Sequence, residues 1–418
     1  MSELLQRVTA LATLAKQSAR VVALSSTATR TAALIAAAKA VRSNAAKILS
    51  ANQQDLAQAK VKGLTEAMTD RLRLDTSGLE DIAAACEAVA KLPDPVGEVV
   101  ESWDRPNGLK IVRRRVPLGL VAIIFESRPN VTVDAAALCL KSGNACILRG
   151  GSEAVHTNIA LAESFAEGLK AVGLPTAAVT LLPFTDREAV PALGSLRGIV
   201  DIIVPRGGPG LIEAVVNSAK VPVIKHDAGI CHVYVHTNAD LKMAERIIIN
   251  AKCQRPSACN AAETILVDKS IAAEFLPALG AALSAHKTEV RGCEQTQKFI
   301  STAKRATDQD YRTEHLELII NIKVVDGLEA AVSHIETLGS HHSDAIITAD
   351  EAVARQFLAQ VDSACVYWNA STRFTDGGEF GFGAEVGIST DRLHARGPMG
   401  LRELTTWKFE VTGTGQIR

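Results

Sequence analysis

The feature of this chain that most constrains its fold is a regular alternation of short apolar runs with helix-like segments, which begins near residue 118. Short apolar runs between helices are typical of strands that are buried on both faces of a parallel sheet. The predicted strands are 120–125, 145–148, 179–182, 199–204 and 221–224, with a second series at 231–235, 263–267, 318–325 and 344–348. Helices are predicted near 131–142, 155–171, 186–194 and 209–219. We therefore expect an α/β fold, in which ligands bind beyond the carboxyl ends of the strands.

The regions outside this alternation have patterns of their own. Residues 29–60 place apolar side chains along one helical face, so the N-terminal region is predicted to form several helices. Residues 98–113 contain two alternating runs around Asn107-Gly108, which is a hairpin signal, and residues 405–412 are also strand-like. Because an isolated hairpin is marginally stable, we expect these strands to form a sheet that is used in association.

Length and charge narrow the class of protein. A chain of 418 residues exceeds what one hydrophobic core usually supports, so two or three domains are expected. The 45 basic and 46 acidic residues nearly balance, which argues against a nucleic-acid binder. The N-terminus lacks a secretory signal and no apolar run reaches membrane-spanning length, so we expect a cytoplasmic protein without a membrane partner. The eight cysteines are scattered singly, which predicts neither a disulfide framework nor a metal site.

Cys259 lies in the segment Gln254-Arg-Pro-Ser-Ala-Cys-Asn260, between a predicted helix and a predicted strand. A helix that stops near Pro256 and passes into a short turn presents the thiol instead of burying it. Thiolates react where they are partly exposed and electrostatically supported, so this position suits a nucleophile. The alternative is a packed core cysteine, which is the usual environment of a free thiol.

Two glycine-bearing turns follow predicted strands, Leu148-Arg-Gly-Gly151 and Pro205-Arg-Gly-Gly208. Free backbone N–H groups before a helix can hold a phosphate, although the glycines could equally serve turn geometry. Neither turn is the GxGxxG motif of ordinary dinucleotide folds. Arg149 at a strand end suits a 2′-phosphate, as in NADP. The candidates for cofactor binding are Arg149, Gly150, Gly151, Pro205, Arg206, Gly207 and Gly208.

Another strand end and a glycine-rich loop supply further candidates. Asn130 opens a predicted helix, where its amide could be a simple N-cap or could donate to an oxyanion. The stretch 369–383 is too long and too glycine-rich for the interior of a helix or strand. Arg373 in that loop and Arg396 beyond it could hold a substrate carboxylate or phosphate, or could be ordinary surface arginines. Arg128 is a further candidate for substrate binding.

Several motifs together resemble those of the gamma-glutamyl phosphate reductases, a family of the aldehyde dehydrogenase superfamily. They run in consistent order from about residue 60 to the C-terminus, at 126–134, 141–144, 148–151, 205–208, 254–260, 369–378 and 394–398. The resemblance implies a Rossmann-type cofactor domain at 1–94 and 118–229 and an α/β catalytic domain at 230–401. It also implies a small oligomerisation sheet built from 95–117 and 402–418.

The same resemblance implies the reaction. Members of this family reduce L-glutamyl 5-phosphate with NADPH to L-glutamate 5-semialdehyde and phosphate, in the second step of proline biosynthesis. By position, Cys259 would be the nucleophile that forms a thioester, Asn130 the oxyanion donor, and Glu314 the contact to the nicotinamide ribose. Expected partners are the small substrate, further copies of the chain in a dimer or tetramer, and glutamate 5-kinase in a transient contact.

One position of the sequence distinguishes a reductase from an aldehyde dehydrogenase that hydrolyses its thioester. Ordinary aldehyde dehydrogenases carry a glutamate that activates water, and the matching stretch here is 224–229, with Lys225 where that glutamate would lie. Because water would compete with hydride for the thioester, the absence of this base is expected of a reductase. Asp227 lies close by as an alternative base. Cys253 stands where Thr or Val is expected, and we assign it to packing.

Two other functions compete with this hypothesis. One is an acylating or hydrolytic aldehyde dehydrogenase with another substrate. The other is a non-enzymatic nucleotide-binding or assembly protein on the same scaffold, for which replacement of Cys259 would leave every property intact.

Overall fold

The computed structural model of the chain describes residues 2–225 and 228–418. Contacts divide the chain into two units. The first unit comprises Met1–Lys225, Gly381–Gly387 and Met399–Arg418, and the second comprises His226–Phe380 and Ile388–Pro398. The 95–117 hairpin and the C-terminal strand thus belong to the same unit as the first series of strands.

The first unit contains nine helices and a four-stranded parallel sheet among its described residues. Its helices are α1 (Glu3–Leu24), α2 (Thr27–Ser43), α3 (Ala45–Val61), α4 (Glu66–Leu72), α5 (Thr76–Lys91), α6 (Val131–Lys141), α7 (Val155–Ala171), α8 (Ala189–Ser195) and α9 (Pro209–Ser218). Its first strands are β1 (Val99–Asp104), β2 (Lys110–Pro117), β3 (Leu120–Phe125), β4 (Ala145–Arg149), β5 (Val179–Leu181) and β6 (Ile202–Arg206). The sheet order is β5-β4-β3-β6, and every residue of β3 and β4 is buried. The two central strands, apolar except for Arg149 at the end of β4, are therefore covered on both faces.

The second unit is built around a seven-stranded parallel sheet with the order β10-β9-β11-β8-β7-β12-β13. Its strands are β7 (Cys231–Val235), β8 (Ala262–Asp268), β9 (Glu289–Gly292), β10 (Lys304–Arg305), β11 (Ile319–Val325), β12 (Ser343–Ile347) and β13 (Cys365–Trp368), with the separate pair β14 (Ile388–Ser389) and β15 (Gly397–Pro398). Its helices are α10 (Leu241–Cys253), α11 (Ala272–Ala285), α12 (Glu294–Phe299), α13 (Gly327–Leu338) and α14 (Glu351–Gln360). One core of this unit packs α10 and α11 against the sheet through Ile248, Phe275 and Ile322.

A three-stranded antiparallel sheet joins the hairpin to the end of the chain. Strand β16 (Thr405–Thr412) pairs with β2, which pairs with β1. Asn144 connects this sheet to the parallel sheet, because its Oδ1 accepts the Gly119 N–H at 2.8 Å and its Nδ2 donates to the Leu404 carbonyl at 2.8 Å. The motif at 141–144 therefore has a structural role, and Lys141 supports it by donating from a buried Nζ to the Ala90 carbonyl at 2.7 Å.

The predicted alternation of strands and helices is confirmed, with one exception among the strands. Residues 221–224 form no strand and make only one isolated bridge, between Val223 and Ile203. Pro222 explains the error, because a proline has no N–H to donate to a sheet. Strands β9, β10, β13, β14 and β15 were not predicted from the sequence. No helix in the described part of the chain is long and apolar enough to cross a membrane.

Candidate active site

The turn that carries Cys259 lies between the end of α10 and the start of β8. The helix stops shortly before Pro256, whose ring cannot continue it. The N–H groups of Ala258 and Ala261 then donate to the carbonyls of Arg255 and Ala258 at 3.1 and 2.9 Å, which makes two successive turns. Cys259 is half-buried at the second of them. Partial exposure of the residue is what a nucleophilic cysteine requires.

The backbone of Cys259 is held by Gly229, which precedes β7, and by Cys231, the first residue of β7. A Cβ atom on Gly229 would lie 1.9 Å from the carbonyl oxygen of Cys259, so only glycine fits there. The Sγ atom of Cys231 donates to the same oxygen at 3.3 Å. Burial raises the pKa of the Cys231 thiol well above its usual value, which keeps the thiol protonated and able to donate.

Asn260 connects the turn to the loop that follows β13. Its Nδ2 donates to the carbonyl oxygens of Thr375 and Arg373 at 2.9 and 3.3 Å. The backbone carbonyl oxygen of Asn260 accepts a hydrogen bond from Oγ1 of Thr372 at 2.7 Å. The glycine-rich loop predicted to be functional is therefore anchored directly beside the nucleophile turn.

Arg373 supplies a positive charge next to Cys259. Its Nε donates to Oε1 of Gln254 at 2.9 Å, which places the guanidinium along the turn. Burial lowers the pKa of Arg373, and neighbouring Arg255 lowers it further, whereas the Cys259 thiolate acts in the opposite direction. The guanidinium therefore lies along the segment that carries Cys259, where a cation can act on a developing thiolate.

Glu314 also lies beside this turn, in the loop before β11. Its carboxylate accepts a hydrogen bond from the Gly229 N–H. Burial raises the pKa of Glu314, while the Gly229 N–H and the ammonium of Lys252 lower it. Lys252 is completely buried and pairs with Glu263, with 2.8 Å between Nζ and Oε2. The second unit thus gathers Cys259, Arg373 and Glu314 around one turn.

In the first unit, Arg149 ends strand β4 and is almost fully buried. Its Nη2 donates to the carbonyl oxygens of Thr185 and Asp186 at 2.7 and 3.4 Å. Its Nε is buried and has no hydrogen-bond partner among the residues that the structure describes. Burial lowers the pKa of Arg149, whereas the carboxylates of Glu153 and Glu126 raise it.

Both glycine turns approach their neighbours too closely for a side chain. A Cβ atom on Gly150 would lie 2.2 Å from Nδ2 of Asn158, and one on Gly207 would lie 2.4 Å from Oε2 of Glu126. The Gly208 N–H donates to that same carboxylate at 3.1 Å, at the start of α9. An anionic group therefore already occupies the N-terminus of this helix, where a dinucleotide phosphate would bind. Together with the buried cation at β4, these turns fit a nicotinamide dinucleotide.

The remaining members of these turns support this arrangement. A Cβ atom on Gly151 would lie 2.2 Å from Oε1 of Glu153. Pro205 and Arg206 end strand β6, and the Arg206 carbonyl accepts the Glu126 N–H at 3.2 Å. The carboxyl ends of β3, β4 and β6 thus carry all of the cofactor candidates of the first unit, as the rule for parallel sheets predicts.

Asn130 occupies the N-cap position of α6 but makes no side-chain capping bond. The simple N-cap interpretation is therefore wrong. Its Nδ2 instead donates to Oδ2 of Asp134, one turn along the helix, at 2.8 Å. Burial raises the pKa of Asp134 to about 6, although the Asn130 bond lowers it. The amide is exposed and held in a defined direction, and Arg128 is exposed two residues earlier.

Arg396 has a different environment from Arg373. Its Nη1 pairs with Oδ1 of Asp362 at 2.5 Å, and its Nη2 donates to the Asp362 carbonyl at 2.7 Å. Arg392 pairs with the other oxygen of the same carboxylate. Of the three arginines proposed for the substrate, the structure thus brings Arg373 to the nucleophile turn, pairs Arg396 with Asp362 and places Arg128 at an exposed position.

Several residues that lie around the nucleophile turn were not predicted from the sequence to belong to the site. They are Gly229, Cys231 and the buried pair of Lys252 and Glu263. A signal for Lys252 was present, because it follows Ala244 and Ile248 at helical spacing on the apolar face of α10. Gly229 and Cys231 gave no such signal, since their role depends on a contact across the sheet. Asp227, considered as an alternative base, lies outside the described residues.

Comparisons with known proteins show which family the chain is similar to. A family model described as the aldehyde dehydrogenase family matches residues 6–317. The gamma-glutamyl phosphate reductase of Carboxydothermus hydrogenoformans is 58% identical over 367 residues, which is 88% of each chain. That of Moorella thermoacetica is 56% identical over 369 residues, again 88% of each chain.

The solved structures include a similar protein. The crystal structure of gamma-glutamyl phosphate reductase from Thermotoga maritima superposes with a TM-score of 0.97 at 46% identity, covering 98% of this chain and 99% of that one. The expected fold is thereby confirmed. The chain belongs to the aldehyde dehydrogenase family and, within it, to the gamma-glutamyl phosphate reductases.

Proposed function

We propose that this chain reduces L-glutamyl 5-phosphate to L-glutamate 5-semialdehyde and inorganic phosphate with NADPH, in the second step of proline biosynthesis. The observation that carries the proposal is the high identity to gamma-glutamyl phosphate reductases over most of the chain. The half-buried Cys259 on its fixed turn supplies the chemistry that such a reaction needs.

The reaction begins with attack of the Cys259 thiolate on the acyl carbon. The carbon–oxygen bond to phosphate breaks, phosphate leaves with the electron pair, and a thioester forms. Arg373 favours the thiolate, and the Asn130 amide donates to the oxygen that becomes negatively charged in the tetrahedral intermediate. A reduced nicotinamide, when bound, supplies hydride to the thioester carbon. The carbon–sulfur bond of the resulting tetrahedral alkoxide then breaks, sulfur leaves with the electron pair, and the aldehyde and the Cys259 thiolate are released.

Lys225 stands where hydrolytic aldehyde dehydrogenases carry a general base. An ammonium group does not act as the general base that hydrolytic aldehyde dehydrogenases use on water. With Lys225 at this position, the thioester on Cys259 persists until it is reduced.

The family uses a nicotinamide cofactor, and we propose the phosphorylated form, NADPH. Arg149 places a positive charge at the end of β4, with a buried Nε that lacks a partner among the described residues, which suits a 2′-phosphate. The turns at 150–151 and 205–208 would hold the pyrophosphate, and Glu314 would contact the nicotinamide ribose. Arg128, Arg373 and Arg396 remain the proposed cations for the substrate, with Arg373 favoured by its position.

Oligomers are typical of the family, and we propose a dimer or tetramer in which the sheet of β1, β2 and β16 takes part. A cytoplasmic location and a transient contact with glutamate 5-kinase are proposed as well, since the acyl phosphate substrate is unstable.

An assay in the reverse direction tests the function. Purified protein is incubated with glutamate 5-semialdehyde, NADP⁺ and inorganic phosphate, and NADPH formation is followed. We expect NADPH to form only when phosphate is present. Turnover to a free acid without phosphate would instead identify a hydrolytic aldehyde dehydrogenase, and dependence on coenzyme A an acylating one. The absence of any turnover would favour a non-enzymatic role.

A further inference from the structure

We infer that Gln254 is a positioning residue, which orients the Arg373 guanidinium so that its two terminal nitrogens are presented to the phosphate group of the substrate. The inference rests on the proposed function, because it takes an acyl phosphate as the substrate. It deepens that function by assigning Arg373 to one of the two anionic groups of the substrate and by giving Gln254 a role.

Arg373 is anchored to the nucleophile segment through both its backbone and its side chain. Its backbone carbonyl accepts a hydrogen bond at 3.3 Å from Nδ2 of Asn260, the residue after Cys259. Its Nε donates at 2.9 Å to Oε1 of Gln254, the residue that follows α10. The arginine is therefore bound to the chain on both sides of Cys259.

The bond at Nε decides which donors of the guanidinium remain. The group is planar and carries five N–H donors, so a bond at Nε fixes its plane and leaves the edge formed by Nη1 and Nη2. Neither of these nitrogens has a hydrogen-bond partner among the residues that the structure describes. Such an edge can donate two parallel hydrogen bonds to the oxygens of a phosphate or a carboxylate.

Arg396 shows the effect of a charged partner. Its Nη1 pairs with Oδ1 of Asp362 at 2.5 Å, so its terminal edge and its charge are already used within the protein. Gln254 is uncharged, and it therefore orients Arg373 without compensating its positive charge. An amide at this position leaves a cation that is available to an anion.

The substrate carries a phosphate and an α-carboxylate, and two observations favour the phosphate. The phosphate is bonded to the carbon that Cys259 attacks, whereas the α-carboxylate lies at the other end of the glutamyl chain. Because Arg373 is anchored to the residues around Cys259, the anion at the reacting carbon is the nearer one. In addition, Arg255 is exposed directly after Gln254 and adds a second positive charge. This suits a phosphate group, whose charge is about −1.5 to −2 near pH 7.

The reverse reaction tests the inference, because it supplies the two anionic groups on separate molecules. The KM for inorganic phosphate and the KM for glutamate 5-semialdehyde are measured from NADPH formation, together with kcat and melting temperature. Gln254→Leu removes the bond to Nε of Arg373, and Gln254→Glu keeps an acceptor there but compensates the charge. Gln360 is the matched control, since it is an exposed glutamine at the end of α14 and can receive the same two changes.

We expect both Gln254 variants to raise the KM for phosphate by about tenfold, while kcat and the KM for the semialdehyde stay within about twofold. Leucine leaves the guanidinium misdirected, and glutamate leaves it in place with its charge neutralised. Both Gln360 variants should match the wild type. In an Arg373→Lys background, Gln254→Leu should change the KM for phosphate by less than about twofold, because the edge through which Gln254 acts is already lost.

A Gln254→Glu variant with the wild-type KM for phosphate would reduce Gln254 to a structural anchor of Arg373 and overturn the inference. A rise confined to the KM for the semialdehyde would assign Arg373 to the α-carboxylate and overturn it as well. Unchanged constants in both variants, or loss of folding in both, would contradict it equally. These outcomes are distinct from a failure of the proposed function, which would appear in the wild-type protein as turnover that does not require phosphate.

Discussion

At the scale of single residues, the two half-buried cysteines near the end of α10 make a direct comparison. Cys259 lies beside the Arg373 guanidinium, whereas Sγ of Cys253 lies 3.4 Å from Oγ1 of Thr288. A thiol becomes a strong nucleophile when a nearby cation stabilises its thiolate. The two thiols differ in their surroundings, because Cys253 has Thr288 as a hydrogen-bond partner on its side chain, whereas Cys259 lies on the turn whose backbone Gly229 and Cys231 contact.

The first prediction follows from that difference. Cys259→Ala should lower kcat by about a thousandfold or more, because no other group can form the thioester. Cys253→Ala should retain activity within about twofold, since its removal leaves the turn and its cation in place. Phosphate-dependent NADPH formation measures both. An active Cys259→Ala variant, or an inactive but folded Cys253→Ala variant, would show that the nucleophile is wrongly assigned.

Arg149 carries a second prediction at this scale. Arg149→Met should reduce the preference for NADPH over NADH, measured as the ratio of kcat/KM values, by about tenfold or more, because a charge-assisted contact to the 2′-phosphate is lost. Arg20→Met, at an exposed position of α1, is the control and should leave the ratio unchanged. An unchanged ratio in Arg149→Met would move the 2′-phosphate contact to another residue.

At the scale of structural elements, the close approach of Gly229 to the nucleophile turn depends on the absence of a side chain. Gly229→Ala should displace the turn, since its Cβ would overlap the Cys259 carbonyl oxygen. We expect a loss of about 1–3 kcal/mol in the free energy of unfolding and a large fall in kcat. Slower alkylation of Cys259 by iodoacetamide would accompany these changes. Gly210→Ala is the control, because a Cβ there meets nothing within 4 Å. Wild-type alkylation in Gly229→Ala would refute this account of the turn.

A buried polar cluster between β7, β12 and α13 predicts the response of the second unit to acid. His334 packs edge-to-face against His232 and Tyr311, and Lys323 donates to its Nδ1 at 3.2 Å. Burial lowers the pKa of His334 to about 3, with further contributions from His232 and Lys323. Asp344 accepts a hydrogen bond from His232 at 2.8 Å and is itself completely buried.

The sign of the pH effect follows from this depressed pKa. His334 is neutral in the folded state and takes up a proton on unfolding once the pH falls below about 6.5, so stability is full above that pH and declines from there toward pH 3. Each proton that is taken up on unfolding makes the free energy of unfolding fall by about 1.4 kcal/mol for each pH unit of acidification. His334→Gln should reduce this slope in urea unfolding measured between pH 7 and 4.5. His286→Gln, at an exposed site, should not change it. An equal slope in wild type and His334→Gln would contradict the prediction.

At the scale of the whole molecule, the sheet of β1, β2 and β16 exposes an apolar face. Trp407, Phe409 and Val411 alternate along β16 and are 44, 57 and 57% exposed. Phe409 meets Trp103 edge-to-face, and the Arg113 guanidinium lies 3.8 Å from the centre of the Trp407 ring. Aromatic and arginine side chains in one exposed patch are typical of protein interfaces.

The corresponding prediction concerns the oligomeric state. Replacement of both Trp407 and Phe409 by Ser should shift the protein toward monomers, because the patch would lose most of its apolar area. Light scattering after size-exclusion chromatography measures the mass directly. Leu24→Ser removes an apolar side chain that is 79% exposed at the end of α1 and should leave the mass unchanged. An oligomer that survives the double replacement would place the interface elsewhere.

Much of the molecule follows from local pattern. Strands β3, β7 and β8 and the hairpin were predicted within a residue or two, because an apolar run or an Asn-Gly turn is decided by neighbours in the chain. Strands β9 and β13 were missed because they are short and, in part, half-exposed, which leaves little periodicity to detect.

The sequence by itself determined the class of fold, the position of Cys259 after a helix that ends near a proline, and the family. Only the tertiary structure decided what surrounds the thiol: the backbone of Gly229 against Cys259, the thiol of Cys231 on its carbonyl oxygen, and the cation of Arg373 held to Gln254 of the same segment. The physical reason is the range of the interactions. Turns and strands depend on residues a few positions apart, whereas the ionisation of a thiol or a buried carboxyl depends on charges and burial brought together from distant parts of the chain.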